Sequence, residues 1–166
     1  MPAVARHYLP DLVYGANDGI ITTFAVVCGV VGASLSERVI LILGFANLVA
    51  DGFSMGASNF LSRRSYADPS ERADRPEAAK HGSATVAGFL VAGTIPLVAY
   101  IAPLPDAYRF LAAIALTVAA LFAVGASRAL VTKLGWVRSG AEMLLVGAAA
   151  AAVAFGIGAL AAELTA

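Results

Sequence analysis

The chain has 166 residues, of which 60% are hydrophobic and only 13% charged, and its mean hydropathy is +0.81. A soluble domain carries about 25% charged residues, so the composition excludes an ordinary soluble enzyme or binding module and predicts an integral membrane protein. The formal net charge is zero and no basic tract points to nucleic acid, so none is expected as a partner.

From the N-terminus, Met1 to Pro10 holds Arg6 and His7 but no hydrophobic core. No cleavable signal peptide is expected, and the first spanning helix serves as the insertion signal. Five apolar runs follow, each about 20 residues or longer, enough to cross a ~30 Å hydrocarbon core. They predict an all-α fold in one domain over residues 1–166, with helices over 11–33, 35–61, 83–101, 106–131 and 139–164. Cys28, the single cysteine, lies inside the first run and reads as a small buried hydrophobe. Ser34 with Glu37, and Ser139 with Glu142, have capping-box spacing ahead of the second and fifth helices. The polar, charge-mixed segment 63–82 reads as a surface loop or short helix, Pro96 as a kink, and Asp106 as an N-cap.

Topology follows from the basic residues. Arg6, Arg63, Arg64, Arg72, Arg75, Lys80, Arg128, Lys133 and Arg138 fall on one side of such a bundle, and only Arg38 and Arg109 on the other. The positive-inside rule then puts the N-terminus in the cytoplasm and the C-terminus outside. Arg outnumbers Lys, and Ala and Gly abound. This is the composition of a GC-rich bacterium and suggests a bacterial inner membrane.

The chemistry lies in the first two helices. On the second, Asn47, Asp51, Ser54, Met55, Ser58 and Asn59 fall on one side at 100° per residue. Asp51 is near the middle of the span, where a charged side chain costs about 2.5–3.5 kcal/mol on insertion scales. Asp51 and Met55 are one turn apart. Carboxylate oxygen with thioether sulfur suits borderline ions such as Fe²⁺ better than Mg²⁺ or Ca²⁺, which want oxygens alone. The competing reading of Met55 is core or lipid packing. For Asn47, Asn59 and the serines it is interhelical hydrogen bonding.

On the first helix Asp18 reads either as a solvated acid near a helix start or as a ligand facing a pathway, with Thr22 one turn along its face. Gly15 with Gly19, and Gly52 with Gly56, have the G-x-x-x-G spacing that lets helices approach closely. Glu142 is accounted for by its capping role, with a place at a cytoplasmic entrance as the alternative. Glu71 and Glu77, with Asp68, Asp74 and His81, read as a solvated loop that could also collect metal ions at the cytoplasmic face. The sequence has no Cys/His metal signature, phosphate loop or nucleophile motif, so no enzyme is expected.

At these residues the chain resembles the vacuolar iron transporter family. The matching stretches are YGANDGIITTFAVVCGVVGA (14–33), GFANLVADGFSMGASNFLSRRSYAD (44–68) and, more loosely, VRSGAEMLLVG (137–147). The resemblance implies a homodimer that exports Fe²⁺ or Mn²⁺ from the cytoplasm in exchange for protons, along a two-fold axis lined by the first two helices of both subunits. It also implies that Asp18 and Met55 are the intramembrane metal-site residues. In this chain the link between the second and third helices is about 20 residues, where iron-transporting members carry a long glutamate-rich insert. In that respect it is similar to the family's nodulin-like branch. Asn47 and Asn59 stand where many members have glutamate, and Asp51 where a small residue is usual.

The sequence therefore predicts a proton-coupled Fe²⁺/Mn²⁺ transporter with no permanently bound cofactor, whose partners are a second copy of itself, the lipid bilayer and divalent ions. The alternatives are a non-transporting assembly or regulatory module that keeps the fold, and a transporter of another small solute.

Overall fold

The computed structural model describes residues 3–65, 75–130 and 135–165. The described residues form α1 (Ala3–Gly32), α2 (Glu37–Ser65), α3 (Arg75–Gly93), α4 (Ile95–Ile101), α5 (Asp106–Ser127), a 3-10 turn at Arg128–Leu130 and α6 (Trp136–Thr165). With α3 and α4 taken as one broken rod, five helical segments of 25–30 residues are long and apolar enough to cross a membrane.

The interior of this bundle is no more apolar than its exterior. Val91, Phe53 and Leu145 are 75%, 73% and 72% exposed, while Thr23, Thr85 and Ser139 are fully buried. In lipid, burying Leu or Val releases no water, so helices associate through small residues that permit close contact and through polar pairs. The apolar outer surface meets acyl chains, and the chain is an integral membrane protein.

α1 is the central helix, touching α2, α3, α4, α5 and α6. One buried cluster joins Phe24, Val27, Cys28 and Val30 of α1 to Ile40 of α2, Leu97 and Tyr100 of α4, and Ala113 of α5. Glycine makes the α1–α3 contact possible: a Cβ on Gly15 or Gly19 would overlap the backbone carbonyl of Thr85 or Phe89.

Several boundaries differ from the sequence expectation, each for a physical reason. α1 starts before residue 11 and carries Pro10 inside it, at the loss of one helical hydrogen bond. α3 starts at Arg75, not at 83, so residues 75–82 are helix rather than loop. Only one side of this stretch is solvated: Arg75, Pro76, Ala79 and Lys80 are exposed, while Ala78, His81 and Gly82 are buried. Pro96 does more than kink its helix. A proline ring clashes with the carbonyl four residues back, and the rod breaks at Thr94, whose hydroxyl donates to the Leu90 carbonyl (2.7 Å).

The expected caps are replaced by other devices. Ser34 has φ 56° and closes α1 instead of opening α2. Its N–H donates to the Val31 carbonyl and that of Leu35 to Val30 (3.0 and 3.1 Å), the paired bonds of a Schellman motif. Ser139 lies within α6, three residues past its start, with a buried hydroxyl that has no partner. Asp106 is the first residue of α5 rather than its cap, and no side chain caps that end. It pairs with Arg109 (3.0 Å), which also pairs with Glu37 across the α2–α5 boundary.

Candidate functional site

Asp18, two residues before the fully buried Ile20 of α1, is itself half-buried. It is close enough to Asp51 of α2 for the two charges to repel. Asn47, Asp51, Met55 and Asn59 are all half-buried and recur every four residues along α2, whereas Ser54 and Ser58 are exposed. Helical geometry explains the split. Residues four apart drift slowly around the axis and so run alongside the buried seam of Ile40, Gly44, Leu48, Gly52 and Gly56. That seam faces α3 and α4: Gly52 lies against Phe89 and Leu90, Gly56 against Val86 and Gly82, and Gly44 against Leu97.

Asp18 and Asp51 lie within electrostatic reach of each other, with Met55 one turn beyond Asp51 on α2. The Thr22 hydroxyl donates to the Asp18 backbone carbonyl (2.8 Å). Next to Asp18, the Asn17 side-chain oxygen is buried with no hydrogen-bond partner. A buried, unpartnered acceptor costs about 1–3 kcal/mol, so Asn17 is a polar group of α1 to test that its residue type alone did not mark.

Asn59 sits elsewhere. Its amide nitrogen donates to Asp11 Oδ1 (2.8 Å) and Thr85 Oγ1 (2.6 Å), and its amide oxygen accepts from Arg63 Nε (2.9 Å). Asp11, only 6% exposed, also accepts from Arg63 on Oδ1 (3.1 Å) and bonds His81 Nδ1 through Oδ2 (2.5 Å). This network ties the end of α2 to the starts of α1 and α3. A buried carboxylate needs such partners to remain charged. No local pattern marks Asp11, whose partners come from α2 and α3. The start of α3 does carry a local signal, Pro76 and Glu77, a proline and an acid in the first turn of a helix.

Glu77 is in that first turn of α3 and not in a loop. Its Oε1 accepts from the Tyr8 hydroxyl (2.7 Å) and meets His7 Nε2 (3.0 Å), and its Oε2 accepts from Lys80 (3.2 Å). Glu142 is in the second turn of α6 and accepts from Arg138 Nε (3.2 Å). Glu71, Asp68 and Asp74 lie outside the described residues.

An all-helical chain with five candidate spans and facing acids within two of them belongs among integral membrane proteins that handle ions or polar solutes. A family model described as the VIT family matches residues 9–77 and 66–159. The chain is similar to vacuolar iron transporter homolog 5 of Oryza sativa subsp. japonica, 31% identical over 170 residues, covering 93% of this chain and 81% of that protein. It is 28% identical over 162 residues to vacuolar iron transporter homolog 1 of Arabidopsis thaliana, covering 90% and 81%. A shorter match to the vacuolar iron transporter of Toxoplasma gondii is 44% identical over 61 residues, 37% of this chain and 20% of that protein. The chain belongs to the VIT family.

Proposed function

We propose that the protein is a proton-coupled transporter of Fe²⁺ or Mn²⁺, exporting the ion from the cytoplasm along a path between α1 and α2. The carrying observation is that Asp18 of α1 and Asp51 of α2 lie within electrostatic reach of each other inside the spans. The names of the relatives, vacuolar iron transporter and its homologs, support iron as the cargo.

Two carboxylates that repel at low dielectric must be neutralised to coexist. A dication can do this, and so can protons, so the two compete for one site and their competition is exchange. Met55 adds a soft donor that favours Fe²⁺ over Mg²⁺. Five helices enclose little polar space, and a two-fold dimer would set the α1 and α2 stripes of both copies around one axis. With the basic residues on the cytoplasmic side, the end holding Asp11, Arg63 and His81 is the cytoplasmic entrance, with Glu77 and Glu142 at that end. The proposed membrane is a bacterial inner membrane.

Flux into proteoliposomes holding a metal-quenched dye tests this reading, for Fe²⁺ and Mn²⁺, with and without an acidic interior. The wild type should load metal faster with the gradient, and Asp18→Asn should fall to the rate of empty vesicles while staying folded. An undiminished rate in Asp18→Asn removes that residue from the mechanism.

One observation favours a second reading, a non-transporting assembly or regulatory module. Asn59 spends its amide on a structural network where the family resemblance leads one to expect a free acid. Absence of flux from correctly folded wild type, with stable co-purification of a larger transporter, selects it.

A further inference from the structure

At the end of the bundle where α1 and α3 begin, three donor atoms converge. His7 Nε2 lies 3.2 Å from His81 Nε2 and 3.0 Å from Glu77 Oε1, and Glu77 Oε1 lies 3.8 Å from His81 Nε2. For a tetrahedral ion with metal–nitrogen bonds of 2.0–2.1 Å, the distance between neighbouring donors is about 3.3 Å. The three atoms therefore stand close to one face of such a tetrahedron before any ion is present. We propose that His7, His81 and Glu77 form a binding site for a borderline divalent transition-metal ion.

The surroundings orient the donors for that role. His81, 5% exposed, is held by Asp11 at Nδ1. A carboxylate there accepts a hydrogen bond from Nδ1–H and so favours the tautomer whose Nε2 lone pair is free on the side of His7, the support that metal-ligating histidines commonly have. The Tyr8 hydroxyl donates to Glu77 Oε1 and fixes the carboxylate. His7 is 56% exposed at its side chain, which leaves an entry path and an open coordination position.

Charge decides which ions fit. Lys80 pairs with Glu77 Oε2 and Arg63 with Asp11 Oδ1, so the acids bring little net negative charge. Mg²⁺ and Ca²⁺, which bind through charged oxygens, gain little here. The two imidazoles select Fe²⁺, Co²⁺ or Zn²⁺. The site is separate from the intramembrane pair, since His7 precedes Asp18 by eleven residues, about 16 Å along a helix.

Co²⁺ titration of the full chain in detergent, purified through a tag without histidine, tests the site by its visible d–d absorption. The wild type should bind one Co²⁺ at this site with a nitrogen-ligand spectrum. His7→Ala and Glu77→Gln, both accessible positions, should each weaken binding at least about tenfold, and Glu163→Gln, exposed near the C-terminal end of α6, should leave the spectrum intact. His81→Ala is less informative, because it strands the buried Asp11. A smaller loss in both accessible variants, or a spectrum lost in Glu163→Gln, overturns the assignment, as does displacement of Co²⁺ by equimolar Mg²⁺. The readout is binding and does not depend on transport.

Discussion

Asp11 and Asp18 are two turns apart on one helix and face different chemistry. Asp11 is bound by Asn59, Arg63 and His81. A charge so paired holds helices together. Asp18 has no such cation and shares its space with a second acid. Met55 allows a sharper question at the same scale. Met55→Leu keeps size and apolarity and removes only sulfur, so packing is conserved. If the thioether ligates the ion, the apparent affinity for Fe²⁺ in the flux assay should fall several-fold, by about 1 kcal/mol, and that for Mn²⁺ much less. Equal losses for both ions would assign Met55 to packing.

Among the elements, the α1–α3 crossing has the least tolerance. Gly15 and Gly19 of α1 meet the Thr85 and Phe89 backbone, and Gly88 of α3 meets Leu12 in return. Because the opposing atoms are main chain, no rotamer change relieves an added methyl group. Gly15→Ala should cost about 1–3 kcal/mol by forcing the helices apart and lower the thermal midpoint in detergent. Gly156→Ala, where a Cβ meets nothing within 4 Å, should leave it unchanged or raise it, as expected for Gly to Ala in an open helix. The G-x-x-x-G spacing of Gly15 and Gly19 is visible in sequence, but its partner is not, and the structure assigns it to α3. The start of α3 was hidden for a related reason. Residues 75–82 have the composition of a loop, and they are helical because Ala78, His81 and Gly82 are buried in the bundle.

For the whole molecule, the proposed path requires a second copy. Ser54 is exposed beside the Asp51–Met55 line, so a two-fold axis along that line would bring the two Ser54 positions close together. In a Cys28→Ser background, Ser54→Cys should cross-link between copies under mild oxidation, doubling the 16.9 kDa chain. Val146→Cys, on the exposed face of α6, should not. Cross-linking only through α6 would place the dimer contact away from the path.

Sequence alone determined what depends on composition and local periodicity. Five apolar runs of spanning length make an all-helical membrane protein because the bilayer leaves backbone groups no other way to be satisfied. The every-fourth-residue line of Asn47, Asp51, Met55 and Asn59 follows from helical pitch, whatever packs against it. Tertiary structure decided what depends on the neighbour. It put α1 at the centre, joined Asp18 to Asp51, drew Asn59 away into the Asp11 network, and turned a polar link into the buried start of α3 carrying His81. Each of these depends on residues far apart in the chain coming together, as Asn59 and Thr85 do across 26 positions and His7 and His81 across 74, and no local pattern encodes that meeting.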